Sequence, residues 1–167
     1  MTEVLKLRKR YNMPVLSLKE LKANLAPNQR LLGLDQGTKT IGLALSDPNL
    51  SFATPLETIK RTKFTQDVKR IAQVIKDYNV GGLVIGLPLN MDGSEGPRCV
   101  SVRHFGDNLM RSDAFETEPI ITFCDERLST HAVETFLIEE RDMSRKKRKD
   151  VIDALAAQCI LQGALDL

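Results

Sequence analysis

An almost continuous apolar run, Val80–Leu87, constrains the fold of this chain more than any other segment. Such a run predicts a strand that is covered on both faces, which is typical of the parallel part of a sheet with helices on either side. The segment before it predicts an amphipathic helix, because Val68, Ile71 and Ile75 recur at helical spacing. The chain is therefore expected to adopt an α/β fold.

An antiparallel meander is predicted ahead of this unit. Residues 31–35 and 40–46 have strand patterns, the hairpin turn Gly37-Thr38-Lys39 joins them, and residues 51–59 supply a third strand. A helix over about 95–111 and a fifth strand over 119–124 follow. Ser129 can cap the next helix, which runs to Glu140, and a final helix closes the chain. The expected architecture is a mixed five-stranded sheet, a meander followed by parallel strands, flanked by helices. The last two helices are expected to bury Ala132, Val133, Phe136 and Leu137, and then Ile152, Leu155, Ala156, Cys159, Ile160 and Gly163.

Length and composition favour a single domain. The 167 residues are 42% hydrophobic, which is enough for a sizeable core. We expect that core in residues 30–167, preceded by a partly ordered extension, 1–29, with one short helix over 17–25. No apolar run approaches the roughly 20 residues that span a bilayer, and no signal peptide is evident, so a cytoplasmic protein without membrane contact is expected. Three cysteines without a close pair argue against a disulfide framework and a zinc knuckle.

Acidic residues lie at the edges of three predicted elements. Asp35 ends the first strand, Asp125 and Glu126 follow the fifth, and Asp153 lies on the last helix. Carboxylates so far apart in sequence suggest one site for Mg²⁺ or Mn²⁺, which prefer oxygen ligands. Two such ions about 3.5–4 Å apart can activate water and hold the leaving oxygen in phosphodiester cleavage. The leading hypothesis is a nuclease, although a turn or a helix start also accounts for each acid taken alone.

The neighbouring polar residues are ranked below these acids. Since adjacent residues on an extended chain point to opposite faces, one of the pair after the fifth strand is expected to bind metal; we favour Glu126 and leave Asp125 a structural role. Asp150 is ranked below Asp153, and His131 is a weak candidate for a general base. Asn90 and Asp92 follow the fourth strand and are expected to line the site without binding metal.

A basic segment precedes Asp153. The net charge is only +2, yet residues 141–149 contain six cations in nine positions. Cations are unfavourable at the positive end of a helix dipole, so their clustering suggests contact with phosphate. A solvated helix start is the alternative.

Four segments, taken in their order along the chain, resemble those of the YqgF family. This family is similar to Holliday junction resolvases and carries the name of a pre-16S rRNA nuclease. The resemblance covers residues 30–162. The segments are GLDQGTKTIGLA at 33–44, GLPLNMDG at 86–93, DERLST at 125–130 and DALAAQ at 153–158.

The resemblance implies a ribonuclease H-like fold with Asp35, Glu126 and Asp153 as catalytic acids. It implies Mg²⁺ or Mn²⁺ as cofactor and maturation of the 5′ end of 16S ribosomal RNA as the role, with four-way DNA junctions as the alternative substrate. We hypothesise that Asp35 bridges two ions and that Glu126 and Asp153 complete their coordination. The oligomeric state is not predicted. Nucleic-acid contact is expected from Lys39, Arg127, Arg145, Lys146, Lys147 and Arg148.

There are two rival functions, a phosphotransfer ATPase among enzymes and a non-catalytic protein from another class. Sugar kinases and actin-like ATPases also use an Asp-x-Gly-Thr hairpin, here Asp35-Gln36-Gly37-Thr38, but they need two such lobes and this chain is long enough for one. A non-catalytic nucleic-acid binder with the same fold is the other rival. The presence of all three acids counts against it.

Overall fold

A computed structural model describes residues 15–129 and 144–167 of the chain. Five strands form one mixed sheet in the order β3-β2-β1-β4-β5. β1, β2 and β3 are antiparallel neighbours, whereas β4 runs parallel to both β1 and β5. This confirms the meander followed by parallel strands. The strands are β1 (Arg30–Gln36), β2 (Thr40–Ser46), β3 (Ala53–Lys60), β4 (Val80–Leu87) and β5 (Ile121–Asp125).

Helices cover both faces of the sheet. One face carries α2 (Phe64–Asp77) and α3 (Pro97–Arg111), whose buried side chains share a cluster with Leu32, Leu34 and Ile85. The other face carries α4 (Arg145–Leu165), which packs with Leu31 and Val84. β1 and β4 are therefore buried from both sides, as a continuous apolar run requires.

The short helix α1 (Leu18–Ala23) lies within the predicted extension. Ser17 and Glu20 form a capping box, in which each side chain accepts a hydrogen bond from the other residue's backbone. Leu21 is fully buried in the cluster on the α4 face. This part of the extension thus contributes to the core of the sheet, and residues 1–14 lie outside the described part of the chain.

Helix α4 approaches β1 and β2 closely through glycines. A Cβ built on Gly33 would lie 2.8 Å from Leu161 Cβ, and one built on Gly42 would lie 1.9 Å from the carbonyl oxygen of Asp153. Side-chain hydrogen bonds also join α4 to the edge strand: Ala53 donates to Gln162 Oε1 at 2.9 Å, and the Thr58 hydroxyl donates to the backbone oxygen of Asp150. The backbone position of α4 is thus set by the sheet.

The predicted apolar face of α4 is partly wrong. Ile152, Leu155 and Cys159 are only half-buried, whereas three alanines, Ala154, Ala157 and Ala164, are buried. The physical reason is the close approach at the glycines, because alanine allows a helix backbone to lie nearer the sheet than isoleucine or leucine does. The side chains of α4 that are buried are Ala154, Ala157, Ile160, Leu161, Ala164 and Leu165.

Boundaries elsewhere follow the sequence pattern within a few residues. β2 and β4 have the predicted bounds, and α3 begins at Pro97, a residue favoured in the first turn of a helix. After β5, a 3₁₀ helix spans Glu126–Ser129. The helix predicted to continue to Glu140, including His131, lies outside the described residues. None of the helices in the described ranges is long and apolar enough to cross a membrane.

Candidate active site

Asp35 lies near the carboxyl end of the central strand β1, half-buried on the α4 face. Its neighbours in the sheet leave room for other side chains. Gly42 lies opposite Asp35 on β2, and Gly86 on β4 is one residue beyond the partner of Leu34. The carboxyl end of a parallel strand is where α/β folds gather ligands.

Glu126 reaches Asp35 from the 3₁₀ helix that follows β5. Its Oε1 would lie 2.6 Å from a Cβ built on Gly86, so the carboxyl occupies the space that the missing side chain leaves. A hydrogen bond joins the carboxyl groups of Glu126 and Asp35, which requires one of the two to carry a proton. Two of the predicted acids are thus in direct contact.

Asp153 lies on α4 directly over β2. Its backbone oxygen is the atom that a Cβ on Gly42 would strike, so this glycine sets how near the carboxylate comes to β1. Thr40 Oγ1 donates a hydrogen bond of 2.8 Å to Asp153 Oδ2 and orients it. Asp153 is near enough for its charge to raise the pKa of Asp35. The fold therefore brings all three predicted acids to one region.

The electrostatics of this region oppose full ionisation. Burial is the main cause that raises the pKa of Asp35, and the charge of Asp153 adds to it. Burial, the charge of Asp35 and the hydrogen bond to Asp35 raise the pKa of Glu126 to about 7. Like charges gathered in a partly desolvated site bind protons, and a cation placed among them would offset the same repulsion.

The chemical type of the candidate ligand atoms suits a hard divalent cation. Every candidate ligand here is a carboxylate oxygen, the type that Mg²⁺ and Mn²⁺ prefer. The contact between Asp35 and Glu126 places two carboxyl groups side by side, and the charge of Asp153 reaches Asp35. Within residues 15–129 and 144–167, no three acidic, histidine or cysteine side chains lie close enough to hold one ion together. The geometry thus provides a carboxylate pair with a third acid nearby.

Asp125 points away from this pair and is held by Arg127. The guanidinium and carboxylate form a bidentate contact, with Nη2 to Oδ2 at 2.7 Å and Nε to Oδ1 at 3.1 Å. Arg127 lowers the pKa of Asp125 and also donates to the backbone oxygen of Met91 at 3.1 Å. It therefore fixes the loop after β4, in which Asp92 accepts hydrogen bonds from Ser94.

The basic residues predicted to contact nucleic acid differ in exposure and in position relative to the acids. Lys39 lies exposed in the hairpin turn beside the site, and Arg127 is exposed but already paired. Arg145 and Lys147 are exposed in the first turn of α4, which Ser144 caps, and Arg148 is half-buried. The side chain of Lys146 and residues 141–143 lie outside the described part. At about 1.5 Å per residue, the first turn of α4 lies about 10 Å from Asp153.

Arg98 is a site residue that the sequence does not single out. It lies in the first turn of α3, and its Nη2 donates to the backbone oxygen of Gln36 at 2.8 Å. Its charge lowers the pKa values of both Asp35 and Glu126 against the causes that raise them. The separation of 62 residues along the chain gives no local pattern that joins Arg98 to Gln36.

Comparison with curated proteins shows high similarity over most of the chain. A protein of Rhodospirillum centenum is 58% identical over 155 residues, 92% of this chain and 82% of its own length. One of Paramagnetospirillum magneticum is 56% identical over 154 residues, 92% of this chain and 96% of its own. Both carry the name "Putative pre-16S rRNA nuclease".

Solved structures with a similar fold include two resolvases. Thermus thermophilus RuvC in complex with a Holliday junction substrate has a TM-score of 0.52 and 15% identity, over 82% of this chain and 93% of its own. Fowlpox virus resolvase with Holliday junction DNA has a TM-score of 0.50 and 10% identity, over 83% and 97%. The predicted ribonuclease H-like fold is thereby confirmed. A family model described as "RuvX: Holliday junction resolvase" matches residues 29–167, and the chain belongs to this RuvX (YqgF) family.

Proposed function

We propose that the protein is a metal-dependent nuclease that processes the 5′ end of precursor 16S rRNA in the cytoplasm. The observation that carries this proposal is the contact between Asp35 and Glu126 at the end of the central strand, with Asp153 near enough to Asp35 for its charge to act there. Relatives that are 56–58% identical and carry the name "Putative pre-16S rRNA nuclease" support the substrate. The catalytic roles of the three acids are part of the proposal.

Asp35, Glu126 and Asp153 would hold Mg²⁺ or Mn²⁺. Bound there, the ions would activate water and stabilise the leaving oxygen of a phosphodiester. Other residues position these acids: Thr40 orients Asp153 through a hydrogen bond. Gly42 and Gly86 leave space for Asp153 and Glu126 beside Asp35. Arg98 adds positive charge within range of the acids.

The basic first turn of α4 is proposed to contact the phosphate backbone of the substrate. Arg145 and Lys147 are exposed about two helical turns before Asp153. Contacts of this kind supply affinity without sequence preference and weaken as salt rises. Replacing both with glutamine should therefore raise the substrate concentration needed for half-maximal cleavage and leave the maximal rate nearly unchanged. Unchanged binding in this variant would contradict the proposed contact.

The decisive experiment compares two substrates side by side. A labelled 5′ leader of precursor 16S rRNA and a synthetic four-way DNA junction are incubated with Mg²⁺, Mn²⁺ or EDTA. The proteins are the wild type, Asp35→Asn and a matched control, Asp113→Asn, which makes the same change at an exposed position. We expect RNA cleavage that requires metal, is lost in the Asp35 variant and is retained in the control.

The other outcomes separate the alternatives. Cleavage of the junction alone would establish a resolvase, a function that the resolvase-like fold and the family description favour as the second candidate. Binding of both polymers without cleavage of either would support a non-catalytic binder. Equal cleavage by the Asp35 variant and the wild type would refute the proposed site.

A further inference from the structure

A second polar site lies at the same strand end, on the opposite face of the sheet. Gln36 follows Asp35, so its side chain points toward α2 and α3 rather than toward α4. There it lines a cleft of about 450 Å³ beside the start of α2 and along α3. The other residues that line the cleft include Arg61, Phe64, Ser101, His104 and Asn108.

Gln36 is buried, and within the described part of the chain its side-chain oxygen accepts no hydrogen bond. The residue is only 2% exposed, and its Oε1 has no hydrogen-bond partner within the described part of the chain. Buried amide oxygens are ordinarily paired, because leaving one without a donor costs stability. A ligand with an N–H donor that enters the cleft would relieve this cost.

Two guanidinium groups flank this glutamine. Arg98 Nη2 donates to the backbone oxygen of Gln36 at 2.8 Å, and Arg61 Nη1 donates to the backbone oxygen of Gly37 at 2.6 Å. Consecutive carbonyl groups thus hold both side chains at the strand end. In the described ranges, neither has a salt bridge with a carboxylate. Two fixed guanidinium groups without salt-bridge partners are suited to phosphate, which they can bind with paired N–H donors.

We propose that Arg61 and Arg98 hold a backbone phosphate of single-stranded RNA and that the cleft takes an unpaired base, which donates a hydrogen bond to Gln36 Oε1. This subsite rests on the proposed nuclease function and extends it: Asp35 and Gln36 are adjacent at the end of β1, so an RNA strand that passes this end of the sheet would meet both sites. Unpaired bases are the parts of RNA that proteins recognise most often by hydrogen bonds.

The binding test uses a 12-nucleotide single-stranded RNA and the Asp35→Asn protein, which isolates binding from cleavage. Fluorescence anisotropy at several salt concentrations gives the affinity and its salt dependence. Arg98→Gln changes an exposed side chain and should weaken binding about tenfold and reduce the salt slope by about 0.7, the value of one phosphate contact on a single strand. Arg61→Gln should act similarly, and Arg61→Lys and Arg98→Lys, which keep the charge, should restore part of the affinity.

Arg111→Gln is the matched control, since it removes one exposed guanidinium from the other end of the same helix. It should change the affinity less than twofold. Gln36→Leu removes the amide at similar volume and should abolish any difference in affinity among RNAs that vary in one base. Affinity in Arg98→Gln equal to that in Arg111→Gln would overturn the phosphate contact.

The outcome is distinguishable from that of the cleavage experiment. If the wild type cleaves RNA but Arg98→Gln alters neither the affinity nor the KM, the subsite is wrong and the nuclease proposal stands. If no cleavage occurs but Arg98→Gln and Gln36→Leu alter binding as expected, the subsite stands as part of a non-catalytic binder. Tighter binding of single-stranded DNA than of RNA by the same cleft would overturn the choice of RNA.

Discussion

Replacing Glu126 with glutamine should change how stability depends on pH. In the folded protein the pKa of this carboxyl is raised to about 7 from an ordinary 4.5, chiefly by burial. The unfolded chain therefore releases this proton at lower pH than the folded one. The contribution of this proton to the free energy of unfolding is fully present below pH 4.5 and is lost as the pH rises toward 7.

The size of this effect follows from the difference between the two pKa values. At about 1.36 kcal/mol per pH unit, the interval from 4.5 to 7 corresponds to about 3 kcal/mol, and partial exposure of the carboxyl reduces this to about 2–3 kcal/mol. Glutamine keeps an N–H donor toward Asp35 and cannot ionise. The free energies of unfolding of Glu126→Gln and the wild type should thus be similar at pH 4.5, and the variant should be more stable by that amount at pH 8.

Urea unfolding in EDTA at several pH values measures this difference. With a slope near 2 kcal/mol per M, the midpoint of the variant at pH 8 should exceed that of the wild type by about 1–1.5 M. Glu116→Gln, which changes an exposed glutamate, is the matched control and should follow the wild type. Parallel pH profiles for Glu126→Gln and the wild type would refute the claim that Glu126 holds a proton against Asp35.

Three further changes test other parts of the structure. Gly42→Ala places a methyl group 1.9 Å from the backbone oxygen of Asp153, so it should cost about 3 kcal/mol of stability in urea unfolding and reduce cleavage. At Gly163 the added methyl group would meet no atom within 4 Å beyond the adjoining backbone of its own helix, so Gly163→Ala should be neutral or stabilise α4 by up to about 1 kcal/mol. Equal stability of these two variants would contradict the close packing of α4. Leu21→Ala should cost about 2–5 kcal/mol because the side chain is fully buried, and a loss below 1 kcal/mol would show that α1 is dispensable. Thr40→Val should lower the rate of cleavage through the loss of the 2.8 Å hydrogen bond to Asp153, with a smaller loss in stability; an unchanged rate would argue against this orientation of the acid.

The order and type of the main elements could be read from local pattern. β2 and β4 have the predicted bounds because their apolar residues are consecutive and turn residues end them clearly. The buried face of α4 could not be read in the same way. Hydropathy favours the larger residues, whereas the close approach of the α4 backbone to Gly33 and Gly42 places Ala154 and Ala157 against the sheet, and that approach exists only once the helix lies there.

For the candidate site, too, local sequence features predict one part and the tertiary structure supplies the rest. Strand ends and helix starts are local features, so the sequence by itself placed Asp35, Glu126 and Asp153 as three acids that belong together. Only the tertiary structure decided which of them touch, which glycines make room for them, and that Arg98 and Gln36 meet at the same strand end. Proton sharing and charge balance depend on distance and burial, and neither quantity exists before residues remote in sequence are packed together.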